Sequence, residues 1–199
     1  MEKLFEIHVS VHPKDILLFR LWALDNDVKA IGIIGEIPEL TFSKYTNGTY
    51  EKAYNKSIAL ARNLTLNDIT VTQIRIEAIF SSFDPNIDQH AKNNKSGYFE
   101  FHIKYHVVNS KDYNELINIT KKFNEFHKNT GIYSFIGFNY FKKNVEPIVS
   151  LRVPSNFYIK GALEIKDVLI NELKKSNFKT NEKIHKEYVY YDEPYNSKL

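Results

Sequence analysis

Apolar and polar side chains alternate without a break from Phe5 to His12, in the order Phe-Glu-Ile-His-Val-Ser-Val-His. A period of two marks a β-strand, whose successive side chains point to opposite faces. Phe5, Ile7, Val9 and Val11 share one face, and Glu6, His8, Ser10 and His12 the other. The pattern returns at residues 99–106, Phe-Glu-Phe-His-Ile-Lys-Tyr-His, at a constant offset of 94. There Phe99, Phe101, Ile103 and Tyr105 stand opposite Glu100, His102, Lys104 and His106. The segments that follow correspond in kind. Helix-like stretches at 15–25 and 111–128 lead to apolar runs at 28–34 and 132–141, then to extended segments at 39–44 and 147–153. A second helix pattern, at 49–64 and 159–175, precedes a closing strand at 69–80 and 183–191. Asn47-Gly48 predicts a turn, with Thr49 as the helix N-cap behind it and Ser155 as the corresponding cap in the second half.

The order β-α-β-β-α-β, read twice, predicts an α+β protein built as an internal duplication: a tandem pair of ferredoxin-like repeats with antiparallel sheets. Repeat one covers 1–82 and repeat two 97–192, joined by a polar linker at 83–96 and followed by a tail at 193–199. Helices cover one face of each such sheet and take the apolar set. The Glu/His rows then lie on the uncovered face, mid-sheet. Their expected antiparallel neighbour is the last strand of each half, where Gln73, Arg75 and Glu77 alternate with Ile74, Ile76 and Ala78. Lys183, His185 and Glu187 play that part in the second half, and Arg152 adds a second guanidinium. On this register His8 lies beside Glu77, and His102 beside Glu187.

Composition removes whole classes of chemistry. With 43% hydrophobic and 26% charged residues, the 199-residue chain is neither a disordered nor a low-complexity polymer. The absence of cysteine excludes disulfides, thiolate metal sites and cysteine nucleophiles. No run approaches the roughly 18 apolar residues of a membrane span, and Glu6 and His8 interrupt any signal-peptide core. The expectation is a soluble intracellular, cytoplasmic protein with no membrane partner. A net charge of +3 adds little, because only four of its 27 basic residues are arginine and the lysines are scattered. That distribution reads as a solvated surface, so nucleic acid is not the expected partner.

Three chemical readings compete for the polar rows. His8-Val9-Ser10 resembles the His-x-Ser/Thr element that two-histidine phosphoesterases carry once in each lobe. The resemblance implies His8 and His102 as an acid–base pair, since imidazole titrates near neutrality. The second copy departs from it, with Lys104 where the hydroxyl belongs. Glu100-x-His102-x-Lys104 is similar to the Glu-x-Glu-x-Lys element of triphosphate tunnel enzymes, with His in place of the middle Glu. His8 and His12 alone do not suit a metal, because positions i and i+4 on a strand lie roughly 13 Å apart. The third reading is a non-enzymatic interaction or structural module, in which the same rows form a polar seam.

The chain also resembles a duplicated ferredoxin-like family of bacteria and large DNA viruses. The residues that carry this are Phe-Glu-x-His in each half, Arg75-Ile76-Glu77-Ala78, Asn139-x-Phe141-Lys142 before Leu151-Arg152, and Glu187-Tyr188-Val189-Tyr190-Tyr191-Asp192. The resemblance implies no particular activity. The residues themselves favour binding or hydrolysis of a phosphate-containing small molecule. His8 and His102 are the catalytic candidates, and Glu6, Ser10, His12, Arg75, Glu77, Glu100, Lys104, His106, Arg152, His185 and Glu187 the binding candidates. No cofactor or metal is called for, and a homo-oligomer is compatible with the reading.

Overall fold

The computed structural model describes residues 3–80, 85–94, 96–105, 110–142, 146–176, 178 and 184–195. Its elements run β1 (Lys3–Val11), α1 (Ile16–Asp25), β2 (Lys29–Gly35), β3 (Glu39–Gly48), α2 (Tyr50–Leu66) and β4 (Val71–Ile79). Then come α3 (Pro85–Asn93), β5 (Tyr98–Lys104), α4 (Ser110–His127), β6 (Tyr133–Asn139), β7 (Pro147–Pro154), α5 (Tyr158–Lys175) and β8 (His185–Pro194). The strands close into one antiparallel barrel in the order β1-β3-β2-β6-β7-β5-β8-β4.

Closure overturns the expected fold. A tandem pair of ferredoxin-like repeats, an α+β internal duplication with two open sheets, would leave four free sheet edges. Instead β4 pairs with β8 from Gln73↔Pro194 to Ile79↔Glu187, and β2 pairs with β6 from Ile33↔Asn139 to Gly35↔Gly137. The unpaired N–H and C=O rows of an edge strand are a liability, and a closed barrel removes them. A face expected to meet solvent thereby becomes the barrel interior.

The alternation of β1 and β5 is kept, but its two faces acquire unusual roles. Phe5, Ile7, Val9, Phe99, Phe101 and Ile103 point outward and are buried beneath helices. The hydrophobic core is thus a layer between the barrel wall and the helices, while the polar set points into the barrel. The α2 helix packs on β4, β1 and β3, α4 on β6, α5 on β7 and β5, and α1 on β2. The buried residues of α2, Ala53, Ser57, Ala61 and Leu64, recur at helical spacing and are mostly small, which lets the helix lie close to the wall. Thr49 caps α2, its side chain accepting the Lys52 N–H at 3.2 Å.

Ser155 does not cap α5. Its hydroxyl donates to the Asn94 carbonyl at 2.8 Å, and the Ile159 N–H donates instead to Asp88 of α3 at 2.7 Å. The stretch expected as a linker therefore carries a helix that ties down the start of α5, with Ile87 and Ala91 buried in the core. By contrast α1 leaves Leu17, Leu18, Leu21 and Leu24 exposed. Among the described residues, no helix is long and apolar enough to cross a membrane.

Candidate functional site in the barrel interior

An eight-stranded barrel has an interior about wide enough to be filled by side chains or to hold one small ligand. Here it encloses a cavity of about 160 Å³ with two unlike walls. Ile31 and Ile33 of β2, Phe135 of β6 and Ile148 of β7 give an apolar side. Gly137 belongs to this wall; a Cβ there would stand 2.6 Å from Ile33 Cγ2, so the glycine leaves room for the isoleucine. The opposite side is charged, with Glu6, His8, Arg75, Glu100, His102, His185 and Glu187.

Two clusters occupy the charged side. In the first, His8 Nε2 lies 3.1 Å from Glu77 Oε2 and 3.5 Å from Glu6 Oε1. Arg75 Nε donates to Glu77 Oε1 at 2.5 Å, and its Nη2 lies 3.5 Å from Glu39. Burial disfavours every charge here, but the pairing outweighs it. It holds Glu77 well below the usual carboxylate range through His8 and Arg75, and Glu39 below it through Arg75. Burial pulls His8 down, yet Glu77 leaves the imidazole above its ordinary value.

In the second cluster His102 Nε2 lies 3.2 Å from Glu187, and its Nδ1 shares a hydrogen bond with Ser150 at 2.8 Å. Arg152 Nε donates to Glu100 at 3.0 Å, and its guanidinium carbon lies over the Tyr98 and Phe135 rings, 5.0 and 5.1 Å from their centroids. Burial opposes the His102 charge, but Glu187 and Glu100 raise its pKa to about 9. Glu187 sits above the usual carboxylate range because it is buried and faces the negative Glu77, an effect His102 only partly counters.

The structure gathers most of the sequence candidates, with three exceptions. His12 is exposed, and its Nδ1 accepts the Lys14 N–H at the short turn after β1. Ser10 is buried and does not line the cavity itself, but it bonds two residues that do, Glu39 at 3.0 Å and Thr41 at 2.6 Å. His106 lies outside the described residues, as does Lys183. Sequence reasoning missed Glu39, Lys29 and Lys142. The first was legible, since Glu39, Thr41 and Ser43 alternate with Leu40 and Phe42 along β3. Lys29 and Lys142 line the cavity with Lys104. The Lys142 ammonium is lowered by burial and by the charges of Lys104 and Lys29, which Glu146 offsets in part.

No protein family matches the chain, and no curated protein does. Among solved structures it is similar to a heme-binding protein from Thermus thermophilus, at TM-score 0.35 and 9% identity, over 95% of this chain and 92% of that one. It is similar also to a mutant chlorite dismutase from Candidatus Nitrospira defluvii, at TM-score 0.33 and 7% identity, over 94% and 90%. Likeness at this level carries nothing to the chemistry of the cavity.

Proposed function

We propose that the barrel interior binds a small phosphate-bearing molecule with a compact apolar group, and that His102 with Glu187 supplies acid–base chemistry there. The observation that carries this reading is the gathering of Lys29, Lys104 and Lys142 on a cavity whose other side is apolar. Like charges crowd together at a cost, and an anion between them relieves it. About 160 Å³ suits a group the size of a benzene ring, so the ligand inserts one such group and leaves its anion to the lysines.

The pairing of His8 with His102 as base and acid is less well supported. His102, raised to about 9, carries a proton at neutral pH and is no ready base, and His8 is shifted in the same direction. His102 suits an acid, and Glu187, with its raised pKa and a partner 3.2 Å away, suits the base. Calorimetric titration with inorganic phosphate, phenyl phosphate, nucleotides and cyclic phosphodiesters tests the reading. Phenyl phosphate should bind more tightly than phosphate, and the double substitution Lys104→Ala, Lys142→Ala should weaken it about tenfold or more. Failure of the whole panel to bind, or equal binding by the double variant, would refute it. His102→Gln should abolish any turnover and leave binding within about threefold.

The alternative, an interaction module, has separate support in the Leu17, Leu18, Leu21 and Leu24 surface of α1. Such a patch favours a homo-oligomer. Sedimentation of the native chain beside Leu21→Glu distinguishes the cases: an oligomer should dissociate, and a monomer should be unaffected.

A further inference from the structure

The first cluster contains an inconsistency that the phosphate reading leaves unexplained. His8 is buried, and neither of its ring nitrogens makes a hydrogen bond; nor does Glu77 Oε2, which lies 3.1 Å from Nε2. Two complementary groups at hydrogen-bonding distance, both shut away from water, are not aligned to bond one another. Buried polar atoms are nearly always satisfied, and each exception calls for a specific cause.

We infer that Glu6, His8 and Glu77 form a binding site for a divalent transition-metal cation. One ligand atom from each residue falls within 4.8 Å of the others. Ligands held at about 2.0–2.2 Å from one ion, at angles between octahedral and tetrahedral, lie about 2.8–3.6 Å apart. The His8–Glu77 and His8–Glu6 separations, 3.1 and 3.5 Å, fall in that window. The objection that His8 and His12 are too far apart on one strand does not apply, because the third ligand comes from β4. Pairing in register does this: Glu6 stands opposite Glu77 across β1 and β4.

The surroundings suit a cation as well. Arg75 engages the other oxygen of Glu77, Oε1, which leaves Oε2 directed at His8. Ser43 donates to Glu6 Oε1 and orients that carboxylate. Glu6, Glu39 and Glu77 bring three negative charges against one buried cation, Arg75, so a dication balances the group. The Lys29 ammonium, 3.8 Å from Glu6, belongs to a side chain that is 54% exposed and counts for less. One imidazole and two carboxylates match Zn²⁺, Mn²⁺ or Fe²⁺ better than a thiolate-seeking metal or Ca²⁺. Three protein ligands would leave coordination positions for water or substrate, and two of the three residues, Glu6 and His8, line the cavity. This inference concerns the cation alone and does not depend on the identity of any organic ligand.

The test is titration of chelator-stripped full-length protein with Zn²⁺, Mn²⁺ and Fe²⁺ under anaerobic conditions, with Co²⁺ as a spectroscopic stand-in. One equivalent should bind, and Co²⁺ should show a d–d absorption band that shifts when its nitrogen ligand is replaced in His8→Gln. His8→Gln and Glu77→Gln should each weaken affinity by about 100-fold or more, beyond the 10–100-fold typical of groups that only orient a ligand. Glu6→Gln, the milder change, serves where those variants fail to fold and should weaken affinity at least tenfold. His102→Gln should bind the metal as the native chain does. No stoichiometric binding, or binding that survives Glu6→Gln and His8→Gln alike, would overturn the inference.

Discussion

The two Glu/His clusters use the same residue types at the same register, yet they resolve them differently. His8 stands opposite Ser43 across β1 and β3, as His102 stands opposite Ser150 across β5 and β7. Ser43 serves Glu6, whereas Ser150 serves His102. The reason lies one pair away. Glu100 faces Arg152, which bonds its Oε1 and leaves the serine to His102, while Glu6 faces Tyr45 at the equivalent place. The guanidinium of the first cluster comes from β4 instead, where Arg75 holds Glu77 and Glu39. His102 is thereby held at both ring nitrogens, and His8 has no hydrogen bond at either.

Solvent access follows the same division. The His8 side chain is 8% exposed and that of His102 29%; Arg75 is 9% exposed and Arg152 25%. A drier cluster gains more from each pairing and loses more when one member is removed. Charge type alone does not decide what such residues can do. Which strand supplies the cation decides whether the histidine is held at both ring nitrogens or bonded at neither.

The largest expected effect comes from breaking the drier network. Arg75→Met strands Glu39 and Glu77 without their cation and should destabilise the fold by roughly 3–5 kcal/mol. Arg152→Met should cost less, roughly 1–3 kcal/mol, because it leaves the buried Glu100 without its donor but vacates a place that water already reaches, Arg152 being 25% exposed. Urea denaturation of both variants measures the contrast, and equal losses would erase the distinction between a dry and a wet cluster.

Acidity gives the next effect. The His102 pKa, about 9 in the folded state, exceeds its unfolded reference of 6.5. The folded protein therefore holds this proton more tightly than the unfolded chain. The resulting stability is complete below about pH 6.5 and is lost as pH rises through about 9. His8 is shifted in the same direction, so the informative quantity is the difference between native protein and His102→Gln. That difference should shrink by about 1–3 kcal/mol between pH 6 and pH 10. A pH-independent difference would mean that Glu187 does not sense the imidazolium.

The smallest effect sharpens the second cluster alone. Arg152 sits over the Tyr98 and Phe135 rings while bonding Glu100, a combination an ammonium reproduces poorly. Arg152→Lys should cost about 0.5–1 kcal/mol. Phe135→Leu in that background should then add less than it does in the native chain, as a double-mutant cycle would read out.

Local pattern alone determined much of the backbone and the composition of the site. The alternation at Phe5–His12 places Glu6 with His8 and keeps Phe5 and Ile7 apart from them, because successive side chains of a strand must diverge. The Asn47-Gly48-Thr49 sequence marks the start of α2, since cap chemistry acts over only a few residues. Glu39, Thr41 and Ser43 obey the same period-two rule and were equally legible. Closure was not. Whether a polar sheet face meets water or another wall depends on β4 finding β8 and β2 finding β6, pairings more than 100 residues apart in the chain. No local periodicity encodes a partner at that distance. Only the closed barrel turned two polar rows inward onto one cavity and brought Lys29 of the first half together with Lys104 and Lys142 of the second, because those contacts depend on the curvature and register of the whole ring of strands.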